Sequence, residues 1–110
     1  CPGDRPVITE TGTEFQALIS TCLTTTCPYS LPINCWDTSA VDNMYQAFRG
    51  QATFNEPLHC WNTSSVTHMG SMFRMASSFN QPIGSWNTQK VTEMHSMFYG
   101  ASSFNQPIGS

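Results

Sequence analysis

The sequence predicts a repeat solenoid, in which consecutive rungs stack into a coil, with short strands and single helical turns in each rung and a helical cap at the N-terminus. Apolar residues recur every 25 positions through most of the 110-residue chain. Residues 1–28 do not follow this period and carry a helical pattern instead. Fixed periods of 20–50 residues are typical of solenoids, whose terminal units are usually atypical because they present a capping face.

The repeat is clearest in its second and third copies, which read WNTSSVTHMGSMFRMASSFNQPIGS and WNTQKVTEMHSMFYGASSFNQPIGS. One copy has too few apolar side chains to enclose a core, so each must pack on its image in the next copy. We therefore expect one column of Trp, one of Met and two of Phe. The columns are Trp36, Trp61, Trp86; Met44, Met69, Met94; Phe48, Phe73, Phe98; and Phe54, Phe79, Phe104.

The repeat sets the expected boundaries. A half repeat covers 29–35, and full repeats cover 36–60, 61–85 and 86–110. The spacing of Val66, Met69 and Phe73 indicates an extended step followed by a helical turn. Pro82 then excludes a helix interior and indicates a loop.

Residues 1–28 form the expected N-terminal cap, with one short amphipathic helix. Thr13 and Gln16 have the spacing of a capping box, in which Thr13 would be the N-cap residue. The apolar residues that follow recur at helical spacing. They are Phe15, Leu18, Ile19, Cys22 and Leu23.

The unit from Trp61 to Ile83, Trp-Asn-Thr-Ser-x-Val-Thr-x-Met-x-x-Met-Phe-x-x-Ala-x-x-Phe-Asn-Gln-Pro-Ile, resembles the BspA-like repeat of surface proteins. That repeat is related to leucine-rich repeats, and the resemblance covers about residues 29–110. It implies a right-handed, leucine-rich-repeat-like solenoid on a secreted or surface-anchored protein. It also implies a link to adhesion, and it provides no catalytic residues to transfer.

Composition excludes several classes of function. Charged residues make up 10% of the chain and the net charge is −3, so the clustered basic residues of a nucleic-acid-binding surface are missing. No apolar stretch approaches the roughly 20 residues of a membrane-spanning helix. We expect neither a nucleic-acid partner nor a membrane span, and no cofactor.

Five cysteines in a chain of this length favour disulfides and an oxidising compartment, and the absence of a Cys-x-x-Cys pair disfavours a zinc ribbon. Cys35 and Cys60 occupy the same repeat position, and paired strands lie about 4.8 Å apart. That separation suits a bridge, so we predict Cys35–Cys60. In the cap, Cys22–Cys27 and Cys1–Cys22 both remain open.

No catalytic or metal site is expected, and the chain is therefore expected not to be an enzyme. His59, His68 and His95 lie at three different repeat positions, so they do not form a column. His68 shares its repeat position with Glu93, so the two side chains would be adjacent, which favours an exposed ion pair. The serines fit turn positions, and the methionines fit core filling.

Asparagines are expected to have two roles. Asn55, Asn80 and Asn105 form a column like an asparagine ladder, whose side chains bond backbone groups between rungs. Asn62, in Asn-Thr-Ser, is an acceptor for N-glycosylation if the host is eukaryotic.

The functional prediction is an extracellular or cell-surface structural module, as a protomer or segment of a fibre or stalk. The last rung would leave apolar side chains with no layer above them, and such an edge binds another chain. Those predicted contact residues are Met94, Phe98, Phe104 and Ile108. The partner would be a second copy, head to tail, or further repeats of the same chain. The alternative is an adhesion module that binds a host protein or glycan on its surface.

Overall fold

The structure, a computed structural model, describes residues 1–107. Within that range it contains one α-helix, α1 (Thr13–Thr24), and one turn of 3₁₀ helix at Ile33–Cys35. The rest of the described chain consists of turns and irregular backbone.

The prediction of a leucine-rich-repeat-like solenoid with short strands and helical turns in each rung is wrong. The described residues form no β-sheet, and parallel pairing is limited to isolated bridges. These bridges join Val7 to Asp37, Asn43 to His68, and His68 to Glu93.

Repeated left-handed backbone explains why strands do not form. Gln46, Ser71 and Ser96 share one repeat position and have φ of 59°, 53° and 55°. A left-handed residue interrupts an extended strand and places a turn there. Local bonds follow, such as Ala47 N–H to Met44 O at 3.1 Å and Arg49 N–H to Gln46 O at 3.1 Å. Each repeat therefore crosses this region as consecutive turns.

The 25-residue spacing nevertheless stacks aromatic rings on the equivalent rings of neighbouring repeats. Phe73 stacks between Phe48 and Phe98, with ring centroids 5.3 and 5.7 Å away. Phe79 stacks between Phe54 and Phe104, at 5.9 Å from each. The core of the described molecule is built around these two columns.

The tryptophan column is only partly formed. Trp61 and Trp86 stack at 6.2 Å, and their indole N–H groups donate to Ile33 O and Leu58 O, respectively, at 2.8 and 3.0 Å. Trp36 instead packs edge-on against Phe15 and Tyr29, and its buried indole N–H has no partner in the described structure. At this position the first repeat packs against the N-terminal cap, whereas the later repeats pack against each other.

Helix α1 buries Phe15 and Ile19 in the core, where Phe15 packs on Trp36 and Trp61. The predicted capping box is wrong, because Thr13 is already helical and the N-cap is Gly12, without a side-chain bond. Gly12 has φ 61°, and its N–H donates to Asn43 O at 2.8 Å. The chain needs glycine here, since this conformation disfavours residues with a Cβ.

Residues 5–8, which belong to the predicted cap, lie along the start of the first repeat. Asp37 N–H donates to Pro6 O at 2.8 Å, and Ile8 N–H donates to Asp37 O at 3.0 Å. The Arg5 guanidinium donates to the carbonyls of Cys35, Trp36 and Cys60.

The predicted Cys35–Cys60 disulfide is wrong. Cys35 is bonded to Cys1, with Cα atoms 5.5 Å apart, and Cys60 is a half-buried free thiol. The spacing argument assumed paired strands at this position, and none form. The N-terminal segment lies beside Trp36 and brings Cys1 to Cys35. Cys22 pairs with Cys27, one of the two alternatives left open for the cap.

Candidate interaction surface

The exposed side of the third repeat differs sharply from the equivalent positions in the first two. Met44 and Met69 are fully buried, whereas Met94 is 48% exposed. The same change affects three further positions, whose side chains are buried in the earlier repeats and only partly buried here. Together with Met94 they define the terminal face, which consists of Val91, Met94, Phe98 and Phe104.

Three of the four predicted contact residues, Met94, Phe98 and Phe104, therefore lie together on one face. Phe98 and Phe104 stack at 4.1 Å, as Phe73 and Phe79 do one repeat earlier. The fourth, Ile108, lies outside the described residues. Large exposed apolar groups in one place are a feature of binding surfaces.

At each interface between repeats, four backbone hydrogen bonds run in one sense, whereas one neighbouring bond, Thr67 N–H to Asp42 O or Thr92 N–H to Thr67 O, runs in the opposite sense. Four alternate N–H groups of the first repeat donate to carbonyls of the second, and four of the second donate to the third. The first set is Met44 to His68 (2.9 Å), Gln46 to Gly70 (3.0 Å), Phe48 to Met72 (2.8 Å) and Gly50 to Arg74 (2.8 Å). The second set is Met69 to Glu93 (2.8 Å), Ser71 to His95 (2.9 Å), Phe73 to Met97 (2.9 Å) and Met75 to Tyr99 (2.7 Å).

The corresponding donors of the third repeat have no acceptor within residues 1–107. They are the backbone N–H groups of Met94, Ser96, Phe98 and Gly100, and we call them the donor edge. The donor edge borders the terminal face, since Met94 and Phe98 belong to both. Sequence reasoning missed it, because the direction of these bonds depends on left-handed residues that side-chain periodicity does not reveal.

An asparagine ladder also crosses the repeats, as predicted. Asn80 N–H donates to Asn55 Oδ1 at 2.8 Å, and Asn105 N–H donates to Asn80 Oδ1 at 2.9 Å. The side-chain amides of Gln81 and Gln106 donate to the same two oxygens. The ladder ties the loops of successive repeats together outside the aromatic core.

A second cluster of side chains lies at repeat positions whose residue type differs among the three repeats. His68 Nε2 lies 2.7 Å from Glu93 Oε2, which confirms the predicted pair, and His68 Nδ1 accepts from Gly70 N–H at 3.0 Å. The rings of Tyr45 and His95 pack on His68, with centroids 4.7 and 5.8 Å away. A Cβ on Gly70 would lie 2.6 and 2.7 Å from these two imidazoles, so the glycine makes room for them.

The described residues contain no group of three or more His, Cys, Asp or Glu side chains placed to hold a metal ion. His59 is exposed and lies outside the His68 cluster. No helix in the described part of the chain has the length and apolarity that crossing a membrane requires.

Asp37, Asn62 and Asn87 share a repeat position that forms a short turn. In the first repeat, the Ser39 hydroxyl and the Ser39 backbone N–H both donate to the Asp37 carboxylate. The hydroxyl bond, then the backbone bond, and also the nearby Arg5 charge lower the pKa of Asp37, whereas burial acts in the opposite direction. Asn62 Oδ1 accepts the same two bonds from Ser64, at 3.0 and 2.6 Å. Asn62 is exposed, and its glycosylation stays a prediction.

A family model described as "Mycoplasma protein of unknown function, DUF285" matches residues 15–110. No curated protein and no solved structure matches the chain. The matched range takes in α1 from Phe15 onwards and all three repeats, including the terminal face.

Proposed function

This chain belongs to the DUF285 family, described as Mycoplasma protein of unknown function, and from that premise we propose that it is a non-enzymatic structural module of a secreted or cell-surface protein. In this proposal the 25-residue unit is a BspA-like repeat, and the module works by stacking with another such repeat at its terminal face.

One observation carries the proposal. Met94 is 48% exposed at a repeat position where Met44 and Met69 have no exposure. Full burial of a side chain of this kind contributes about 1.5–3 kcal/mol. A further repeat at this face would recover that free energy for Met94 and add to the burial of Phe98 and Phe104.

The chemistry-bearing side chains support a structural role. The hydroxyls of Ser39 and Ser64 donate to the Asx side chains of their own turns. Thr38 and Thr63 are buried, and their hydroxyls donate to Asn62 O and Asn87 O of the following repeat. The serine hydroxyls therefore stabilise their own turns, and the threonine hydroxyls join successive repeats.

The extracellular or surface location is supported by the two disulfides, Cys1–Cys35 and Cys22–Cys27. Such bonds persist in oxidising compartments and are rare in the cytosol. The first of them joins the N-terminal segment to the half repeat at Cys35, so reduction would loosen the cap.

The test is to fuse a copy of residues 61–85 after Ser110 and to measure unfolding in denaturant. We expect the free energy of unfolding to rise by at least about 2 kcal/mol, because the added repeat buries the terminal face. A matched control carries Ser at the copied positions of Val66, Met69 and Phe73, and it should gain little. Equal stabilities of the parent, the extended protein and the control would contradict the proposal.

A further inference from the structure

The donor edge, which is formed by the backbone N–H groups of Met94, Ser96, Phe98 and Gly100, gives the terminal face a direction as well as an apolar surface. Whatever binds there must present a row of acceptor oxygens that matches alternate residues. The two internal interfaces show such a row. In the second repeat it consists of the carbonyls of His68, Gly70, Met72 and Arg74.

The opposite side of the stack carries the complementary edge, and α1 lies across it. The helix starts at Gly12, whose N–H donates to Asn43 O at 2.8 Å. Asn43 O is the first-repeat equivalent of His68 O. At its other end, Leu23 and Thr24 line a cleft with Gln51 and Phe54.

The helix therefore occupies the place of a preceding repeat. It also fills that place with apolar side chains, since Phe15 packs on Trp61 with ring centroids 5.6 Å apart. A second copy of this chain cannot offer its carbonyl edge to the donor edge without displacing α1 and opening this buried contact.

We infer that the donor edge binds the carbonyl row of another repeat of the same kind whose own carbonyl edge is not covered by a helix, and that α1 prevents head-to-tail stacking between copies of this chain. The inference rests on the proposed function, because it specifies the partner of the same face. The apolar face supplies affinity, and the four donors set direction and register. A buried N–H without an acceptor is costly, so a partner shifted by one residue is rejected.

Amide hydrogen exchange followed by NMR tests the inference, with the protein extended by a copy of residues 61–85 and the parent chain compared. In the extended protein we expect the four donor-edge amides to exchange slower by on the order of a hundredfold or more, since each gains an acceptor in a packed element. In the parent they should exchange rapidly at low and high protein concentration. The internal control is the set of amides already bonded to the third repeat, which should be slow in both. They belong to Met69, Ser71, Phe73 and Met75.

The outcomes separate this inference from the proposed function. If the extension stabilises the protein but the donor-edge amides stay fast, stacking occurs without these bonds and the inference is wrong. If the parent protects these amides as its concentration rises, a second copy binds there and α1 is not a barrier. If inorganic phosphate alone protects them in the parent, the edge is an anion site and the inference is again overturned.

An amide-to-ester change at Phe98 tests the same point without changing a side chain. The ester removes the N–H of Phe98 and also weakens the carbonyl of Met97, which accepts from Phe73 N–H, so it should lower the parent's unfolding midpoint slightly and that of the extended protein by more. The matched ester at Phe73 removes a bond present in both, Phe73 N–H to Met97 O at 2.9 Å, and should lower both midpoints. An equal effect of the Phe98 ester in the two proteins would contradict the inference.

Discussion

At the scale of single residues, the repeat depends on backbone conformations that some of its side chains fit poorly. Gly50, Met75 and Gly100 share one repeat position, with φ of 76°, 63° and 73°. Glycine adopts this conformation freely, whereas a residue with a Cβ pays about 1–2 kcal/mol. Met75 therefore carries backbone strain that its equivalents avoid.

Met75→Gly is expected to stabilise the protein. Relief of the left-handed strain outweighs the extra chain entropy of glycine, for a net gain of about 0.5–1 kcal/mol. Met75 is 51% exposed, so its side chain contributes little burial. Chemical denaturation measures the change, and Met75→Ala, which keeps the strain, is the matched control. A glycine variant no more stable than the alanine variant would show that strain at this position is not significant.

The same residues show where sequence reasoning ended. Glycine at two of three equivalent positions is visible in the sequence and could have indicated a left-handed turn. Gln46, Ser71 and Ser96 gave no such signal, so strands were predicted where consecutive turns occur. The Cys1–Cys35 bridge depends on where a segment with no repeat signature lies, and repeat spacing alone does not determine that.

At the scale of elements, local patterns were the more dependable guide. The apolar spacing of Phe15 and Ile19 predicted α1, because those side chains must share one face to reach the core. Its start was misassigned because Gly12, and not Thr13, takes the non-helical position. The asparagine column was predicted from identity at one repeat position, and the observed bonds confirm it.

The ladder predicts a difference between two chemically identical substitutions. Asn55→Ala removes the acceptor of Asn80 N–H and one of the two acceptors of the Gln81 side-chain amide, so we expect a loss of about 1 kcal/mol. Asn105→Ala removes no acceptor used within residues 1–107, and its effect should be close to zero. Thermal or denaturant unfolding of the two variants measures the difference. Similar losses at both sites would mean that the ladder bonds do not contribute to stability.

At the scale of the whole molecule, identical residues in different repeats have different environments. The 25-residue period predicted which side chains meet, since each repeat can bury its apolar groups only on its neighbours. It did not predict that α1 and the donor edge would make the two ends different. That asymmetry arises because four of the five backbone bonds between each pair of repeats run in one sense and the helix lies on the carbonyl side.

Phe73→Ala and Phe98→Ala remove the same ring from two positions of one column, and the stack predicts unequal costs. Phe73 is fully buried between two rings and also packs on Phe79, with centroids 4.1 Å apart, so we expect a loss of about 3–5 kcal/mol. Phe98 is only partly buried, and its removal should cost roughly 1–2 kcal/mol. Denaturant unfolding, which is suited to a single domain of this size, measures both.

The same pair of substitutions in the protein extended by a copy of residues 61–85 removes any effect of local sequence. There Phe98 gains a neighbour above it, as Phe73 already has in the parent, so the cost of Phe98→Ala should rise towards that of Phe73→Ala. The cost of Phe73→Ala should stay unchanged, because its neighbours stay the same. If Phe98→Ala costs the same in the parent and in the extended protein, burial at the terminal face does not limit the stability of the third repeat, and the ring column is not continued by an added repeat.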